Sequence, residues 1–139
     1  MERYIEDGTL RLEWRDFPYL GNESRRAAVA ARAAQEQGKF WNYHDVLFDN
    51  QRSPNSGAFS NGNLIGFARE VGLDMERFEA AISSGKYEAV VEKDFREGQD
   101  AGISSTPSFV INGRVLVGPQ PLETFEQVIE EEARKAEGG

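Results

Sequence analysis

The stretch GISSTPSFVINGRVLVGPQP, residues 102–121, decides how the chain folds. Gly102 closes a helix, and a polar run leads into Thr106-Pro107. Two short β-rich runs then flank Asn112-Gly113, the strongest short-range hairpin signal, because a type I′ turn needs φ > 0 at both central residues. Pro107 stands directly before the first run. A proline there removes a backbone donor, which a strand tolerates at its first residue. After Gly118-Pro119, residues 121–135 read as an amphipathic helix with Leu122, Phe125, Val128 and Ile129 inward.

Working back from the hairpin, residues 86–101 form a long helix carrying Tyr87, Val90, Val91 and Phe95 toward the core. Asp74 caps a short helix bearing Met75, Phe78 and Ile82, which stops near Gly85, and a helix over 64–71 ends at Gly72. RSPNSGAFSNGN, residues 52–63, is a turn-rich surface loop. KFWNYHDVLFDNQ, residues 39–51, is a helix with a wide aromatic face of Phe40, Trp41, Tyr43, Leu47 and Phe48. Asn22 or Ser24 caps an alanine-rich helix running to about Gln37. TLRLEWR, residues 9–15, alternates Leu10, Leu12 and Trp14 against polar neighbours, which is strand periodicity. Residues 1–8 read as the last turns of a helix stopped by Gly8.

At 139 residues, 39% apolar and 29% charged, the chain has the make-up of one soluble domain, 1–139. The net charge of −8 with no basic cluster argues against nucleic acid or an anionic membrane as partner. No apolar run approaches the ~18–20 residues of a membrane span, so no membrane insertion is expected. The start, MERYIEDG, lacks the layout of a secretory signal. With no cysteine and one histidine, disulfides, thiolate chemistry and a structural zinc site are all unsupported.

Other chemistry finds little support in the residues. His44 reads as a partly buried helix residue, since a general base needs a nucleophile and a pocket that nothing marks. Trp41 and Tyr43 read as packing residues. Asp16 and Phe17 follow a strand end, where functional groups often sit, but read as shaping and packing a loop. Gly57, Gly62 and Gly66 make no phosphate loop, and no G-x-S-x-G is present. No catalytic, cofactor-binding or metal-binding residue is therefore assigned.

RLEWRDFP, KFWNYHDVLF, GISSTPSFVING and VLVGPQP together, in this order and across essentially the whole chain, resemble the DsbA-like thiol-disulfide oxidoreductase family. The resemblance implies an α/β thioredoxin-like fold with an inserted helical region, about 23–101. In that family a cis-proline opens the third strand beside the active-site disulfide. Pro107 matches that proline and Thr106 the residue before it, so both are expected to line the groove that holds an extended peptide or unfolded protein substrate. A Thr-Pro pair by itself reads as trans, since only about 5–6% of X-Pro bonds are cis; with the resemblance, cis is expected.

The family's chemistry needs a first strand leading to a C-x-x-C motif at a helix N-terminus, where the thiol pKa falls. By resemblance this chain starts after that point, N-terminally truncated, with the first strand and most of the first helix absent. The expected function is that of the C-terminal portion of a DsbA-like oxidoreductase, redox-inactive as a cysteine-free chain. A deliberate cut, an internal start codon and a native cysteine-free gene all account for such a start, and its abruptness within a helix favours truncation. The absent strand lies centrally in the fold, so residues 9–15 and 108–111 would each expose an edge. Either they pair directly or a second copy supplies the pairing; the expectation is a homodimer. The alternatives are a cysteine-free peptide-binding or dimerisation module on the same fold, and a glutathione-using relative. The resemblance suggests export of the full-length form.

Overall fold

The computed structural model describes residues 2–138. They divide into two compact units, residues 16–100 and residues 2–15 with 101–138.

The first unit is all helical: α2 (Asn22–Gln35), α3 (Phe40–Asp49), α4 (Asn61–Glu70), α5 (Met75–Ser83) and α6 (Lys86–Asp100). Its core is small on one side and large on the other. Ala27, Ala30, Ala31, Ala33 and Ala34 of α2 are buried, and Phe40, Tyr43, Leu64, Leu73 and Phe78 close over them. Short alanine side chains let neighbouring helices approach α2, and the aromatic rings then fill what remains. Tyr43 is fully buried and donates its hydroxyl to the Leu64 carbonyl at 2.9 Å. Burial pushes its phenol pKa up, so it stays a neutral donor.

The helix joints are made by side chains. Ser60 and Asp74 cap α4 and α5 through the amides of Asn63 and Arg77. Lys39 Nζ donates to the carbonyls of Val71 and Gly72, satisfying the end of α4. Gln37 both accepts from the Asp74 amide and donates to its carbonyl. The expected cap of α2 by Asn22 or Ser24 is not what forms. Gly21 occupies the N-cap with φ 111° and no side-chain bond. Asn55, itself at φ 54°, instead accepts from the Glu23 amide at 3.4 Å and donates to the Leu20 carbonyl at 3.1 Å. A cap delivered from another segment ties the 51–60 loop to the start of α2. Asn55→Ala is therefore expected to cost about 1 kcal/mol in a urea titration. Asn55→Gly keeps the backbone conformation, so any loss it shows isolates the cap.

Glu36, just past α2, accepts from Lys86 at 2.7 Å and from the Tyr87 hydroxyl. The Lys86 ammonium first, and then Tyr87, hold its carboxyl below the ordinary value of 4.5. A depressed folded pKa adds stability above the unfolded value that is lost as pH falls through the folded one. Glu36→Gln is thus expected to separate from the parent at neutral pH and to converge on it below about pH 4.5, read from unfolding midpoints across pH.

The second unit holds α1 (Glu2–Glu6), the hairpin β1 (Ser108–Ile111) and β2 (Arg114–Val117), and α7 (Leu122–Glu137). Asn112 and Gly113 take φ 46° and 90°, both positive as a type I′ turn requires. Ser108 faces Val117, Phe109 faces Leu116, Val110 faces Val115 and Ile111 faces Arg114. One sheet face meets α7: Phe109 stacks edge-on against Phe125 at 4.7 Å, and Arg114 pairs with Glu131 at 2.5 Å. Tyr4 of α1 donates to Glu130 at 2.8 Å.

Residues 9–15 correct the sequence reading: they form no strand, and direct pairing with β1 does not occur. A strand exists only through its ladder, and among the described residues the sheet contains β1 and β2 alone. The alternation is accordingly not expressed, since Leu12 and Trp14 are 49% and 37% exposed. Four side chains expected inward, Trp41, Phe48, Val90 and Leu122, are exposed as well.

Candidate functional site

The loop between α6 and β1 is built by short-range chemistry. Gly102, at φ 80°, turns the chain out of α6. The Ser108 hydroxyl donates back to the Ser105 carbonyl at 2.7 Å. The Thr106–Pro107 peptide is cis, and the Pro107 carbonyl accepts from the Gly118 amide at 2.8 Å, one step beyond the Ser108–Val117 pair that ends the hairpin ladder. Gln120 donates to the Val117 carbonyl at 2.9 Å and steadies the return segment.

Thr106 and Pro107 both lie on the surface. Among the described residues no hydrogen bond engages the N–H or C=O of Thr106. Pro107 carries no N–H, so the Thr106 backbone is an exposed donor and acceptor flanked by a residue that does not compete for a partner. Such a pair is suited to an extended chain, whose own backbone repeats the same groups.

The remaining residues weighed from sequence fall elsewhere. His44 has a side chain 21% exposed, with Nδ1 2.9 Å from Asp45 Oδ1 and its ring 4.6 Å from that of Phe48. Tyr43 is core, whereas Trp41 is 46% exposed. Asp16 does far more than shape a loop. Its carboxylate accepts from Arg32 Nε at 2.6 Å, and Asp94 Oδ2 accepts both from Arg32 Nη2 at 2.7 Å and from the Asp16 amide at 3.1 Å. This buried cluster ties residue 16 to α2 and α6. Sequence reasoning missed it; its one signal was a single arginine inside the alanine run of α2. A cleft of about 20 Å³ near Glu23, Asn55 and Phe59 has room for a water and no more. Among the described residues no group of three or more acidic or imidazole side chains is placed to hold a metal ion.

The family model described as Thioredoxin matches residues 1–131. The chain belongs to this thioredoxin family. Within it the likeness is to DsbA-like thiol-disulfide oxidoreductases. The thiol-disulfide exchange protein alpha-DsbA2 from Wolbachia pipientis superposes with a TM-score of 0.80 at 25% identity, over 94% of this chain and 69% of that one. The probable disulfide bond formation protein D of Bacillus cereus is 28% identical over 138 residues, 96% of this chain and 63% of that protein. A Na(+)/H(+) antiporter NhaA of Herminiimonas arsenicoxydans is 38% identical over 108 residues, 78% of this chain but 17% of that protein. The chain thus spans under a fifth of that antiporter and under two thirds of that disulfide bond formation protein. The fold is thioredoxin-like: helices with a small antiparallel sheet, as the sequence resemblance implied.

Proposed function

We propose that these 139 residues are the peptide-holding and helical portion of a DsbA-like protein thiol-disulfide oxidoreductase, and that they hold an extended polypeptide at Thr106-Pro107 without performing exchange themselves. The carrying observation is the exposed, unengaged backbone of Thr106 in a chain of this family. In exchange a thiolate attacks one sulfur of a disulfide, a mixed disulfide forms, and the other sulfur leaves as thiolate. The chain's two sulfurs are the thioethers of Met1 and Met75, which cannot enter that sequence. The cysteine pair of the working enzyme therefore lies in residues outside these 139.

Two measurements test the reading. The chain is expected to leave the rate of insulin reduction by dithiothreitol unchanged. Titration with reduced, alkylated insulin B chain is expected to shift the amide resonances of Thr106 and Ser108 ahead of all others. Catalysis above the blank would overturn the inert assignment, and unmoved loop resonances at millimolar peptide would overturn the binding assignment. An in-frame C-x-x-C encoded ahead of Met1 is expected; its absence would leave a cysteine-free binding module.

A further inference from the structure

Asparagine stands before a small residue three times, at Asn55-Ser56, Asn61-Gly62 and Asn112-Gly113. A small follower leaves its amide nitrogen open to the asparagine side chain, and the structure separates the three. Asn55 has its side chain tied at both ends, accepting from the Glu23 amide and donating to the Leu20 carbonyl. Asn61 opens α4, where Ser60 accepts from the Asn63 amide and holds the first turn helical. Asn112 and Gly113 are exposed at the tip of the hairpin. Among the described residues no hydrogen bond engages the Asn112 side chain or the Gly113 amide.

Ring closure between the Gly113 nitrogen and the Asn112 side-chain carbonyl carbon needs Cβ and that nitrogen eclipsed about the Cα–C bond. For an L residue this means a ψ of about −120°, the value at the first central residue of a type II′ turn. A helix holds ψ at about −42°, so Asn61 gets there only by unwinding a capped turn. Asn112 already has the positive φ, 46°, that a type II′ turn shares with type I′. One flip of the Asn112–Gly113 peptide therefore exchanges the two turns, keeps the hairpin and brings the nitrogen to the carbonyl. Gly113, at φ 90°, accepts the reversed φ that the flip gives it.

We infer that Asn112 is a site of spontaneous covalent modification, deamidating through a cyclic imide while Asn55 and Asn61 stay intact. The Gly113 nitrogen loses its proton to solvent and attacks the carbonyl carbon; the C–N bond forms as ammonia leaves. Water then opens the imide at either carbonyl, giving aspartate or isoaspartate, each with one negative charge. The two products act differently on the hairpin. Aspartate leaves the backbone as it was, and Asp-Gly suits the same turn. Isoaspartate routes the main chain through the side-chain carbons and lengthens a two-residue turn by one carbon. Bonded pairs alternate along the ladder, so the Pro107–Gly118 bond makes Phe109 with Leu116 and Ile111 with Arg114 bonded pairs. The Ile111–Arg114 pair closes the turn and is the one lost. Phe109 stays in place, held through Phe125 of α7.

The 139-residue chain is aged in warm, mildly alkaline buffer, and its peptides are read by mass spectrometry. Deamidation at Asn112 is expected to run at least about fivefold ahead of Asn61, the factor a helix cap supplies. Labelling by protein isoaspartyl methyltransferase is expected at residue 112. In the isoaspartate fraction, exchange at the Ile111 and Arg114 amides is expected to quicken more than about tenfold, with Phe109 and Leu116 unchanged. Asn112→Asp is expected to keep all four protected when fresh. Asn112→Gly, whose Gly-Gly turn has no side-chain carbonyl to attack, is expected to keep the hairpin and show no such change on ageing. Three results would overturn the inference: equal rates at Asn61 and Asn112, which mean reaction from the unfolded chain; Asn55 reacting first; or isoaspartate at 112 with the Ile111 amide still protected. None of them bears on peptide binding at Thr106, which the insulin B chain titration reads separately.

Discussion

Arg32→Ala is expected to lower the free energy of unfolding by about 3–5 kcal/mol. Asp16 and Asp94 are 3% and 6% exposed, and the guanidinium lies within 2.7 Å of both carboxylates. Removing it leaves two buried negative charges without that guanidinium, and the desolvation cost of each is then no longer offset by the shared cation. The effect is not simply a lost contact, and a small series separates the causes. Arg32→Lys keeps the charge but loses the planar fork that reaches two acceptors at once, so an intermediate loss is expected. Arg32→Met combined with Asp94→Asn removes charge of both signs and is expected to recover part of the loss seen in Arg32→Ala. Urea midpoints followed by circular dichroism measure all three. A loss below about 1 kcal/mol for Arg32→Ala would mean that water or a rearranged loop takes over the work assigned to the arginine.

Phe78→Ala is expected to cost about the same, 3–5 kcal/mol, for an unrelated reason. Phe78 is 0% exposed on α5, its ring centroid 5.8 Å from that of Tyr43. It faces a core whose other side is α2, where five buried alanines have no side-chain length with which to close a void. The cavity therefore persists, and its cost adds to the lost transfer energy. For a chain of this size the thermal midpoint should fall by about 10 °C or more. Phe78→Leu, which keeps most of the volume, should lose less than half as much. If the two variants proved equal, the core would be loose enough to relax, contrary to its packing around Tyr43.

Much of the local structure was legible. The Asn112-Gly113 turn, the Asp74 cap and the stops at Gly8, Gly72 and Gly102 all formed where the residues place them, because each depends on groups a few positions apart. The resemblance carried the family, and through it Thr106 and Pro107 became the residues proposed to hold a peptide. The exposed and unengaged Thr106 backbone was not readable, since hydrogen bonds that do not form leave no mark on a sequence.

The misses share a cause. Leu10, Leu12 and Trp14 alternate as a strand does, yet residues 9–15 make none, because periodicity records a preference for a ladder and not the neighbour that completes it. Asn22 and Ser24 have the chemistry of a cap, yet Asn55, more than thirty residues on, supplies it. Arg32 drew no reading from the sequence, yet it is a shared counter-ion for aspartates 16 residues before it and 62 after it. By itself the sequence determined what short-range sterics and side-chain chemistry dictate: the helices, the hairpin turn, and the absence of any sulfur able to exchange. Only the tertiary structure decided which strand found a partner, which carboxylates lost their water, and which backbone groups remained open, because each of those depends on what chain folding brings alongside.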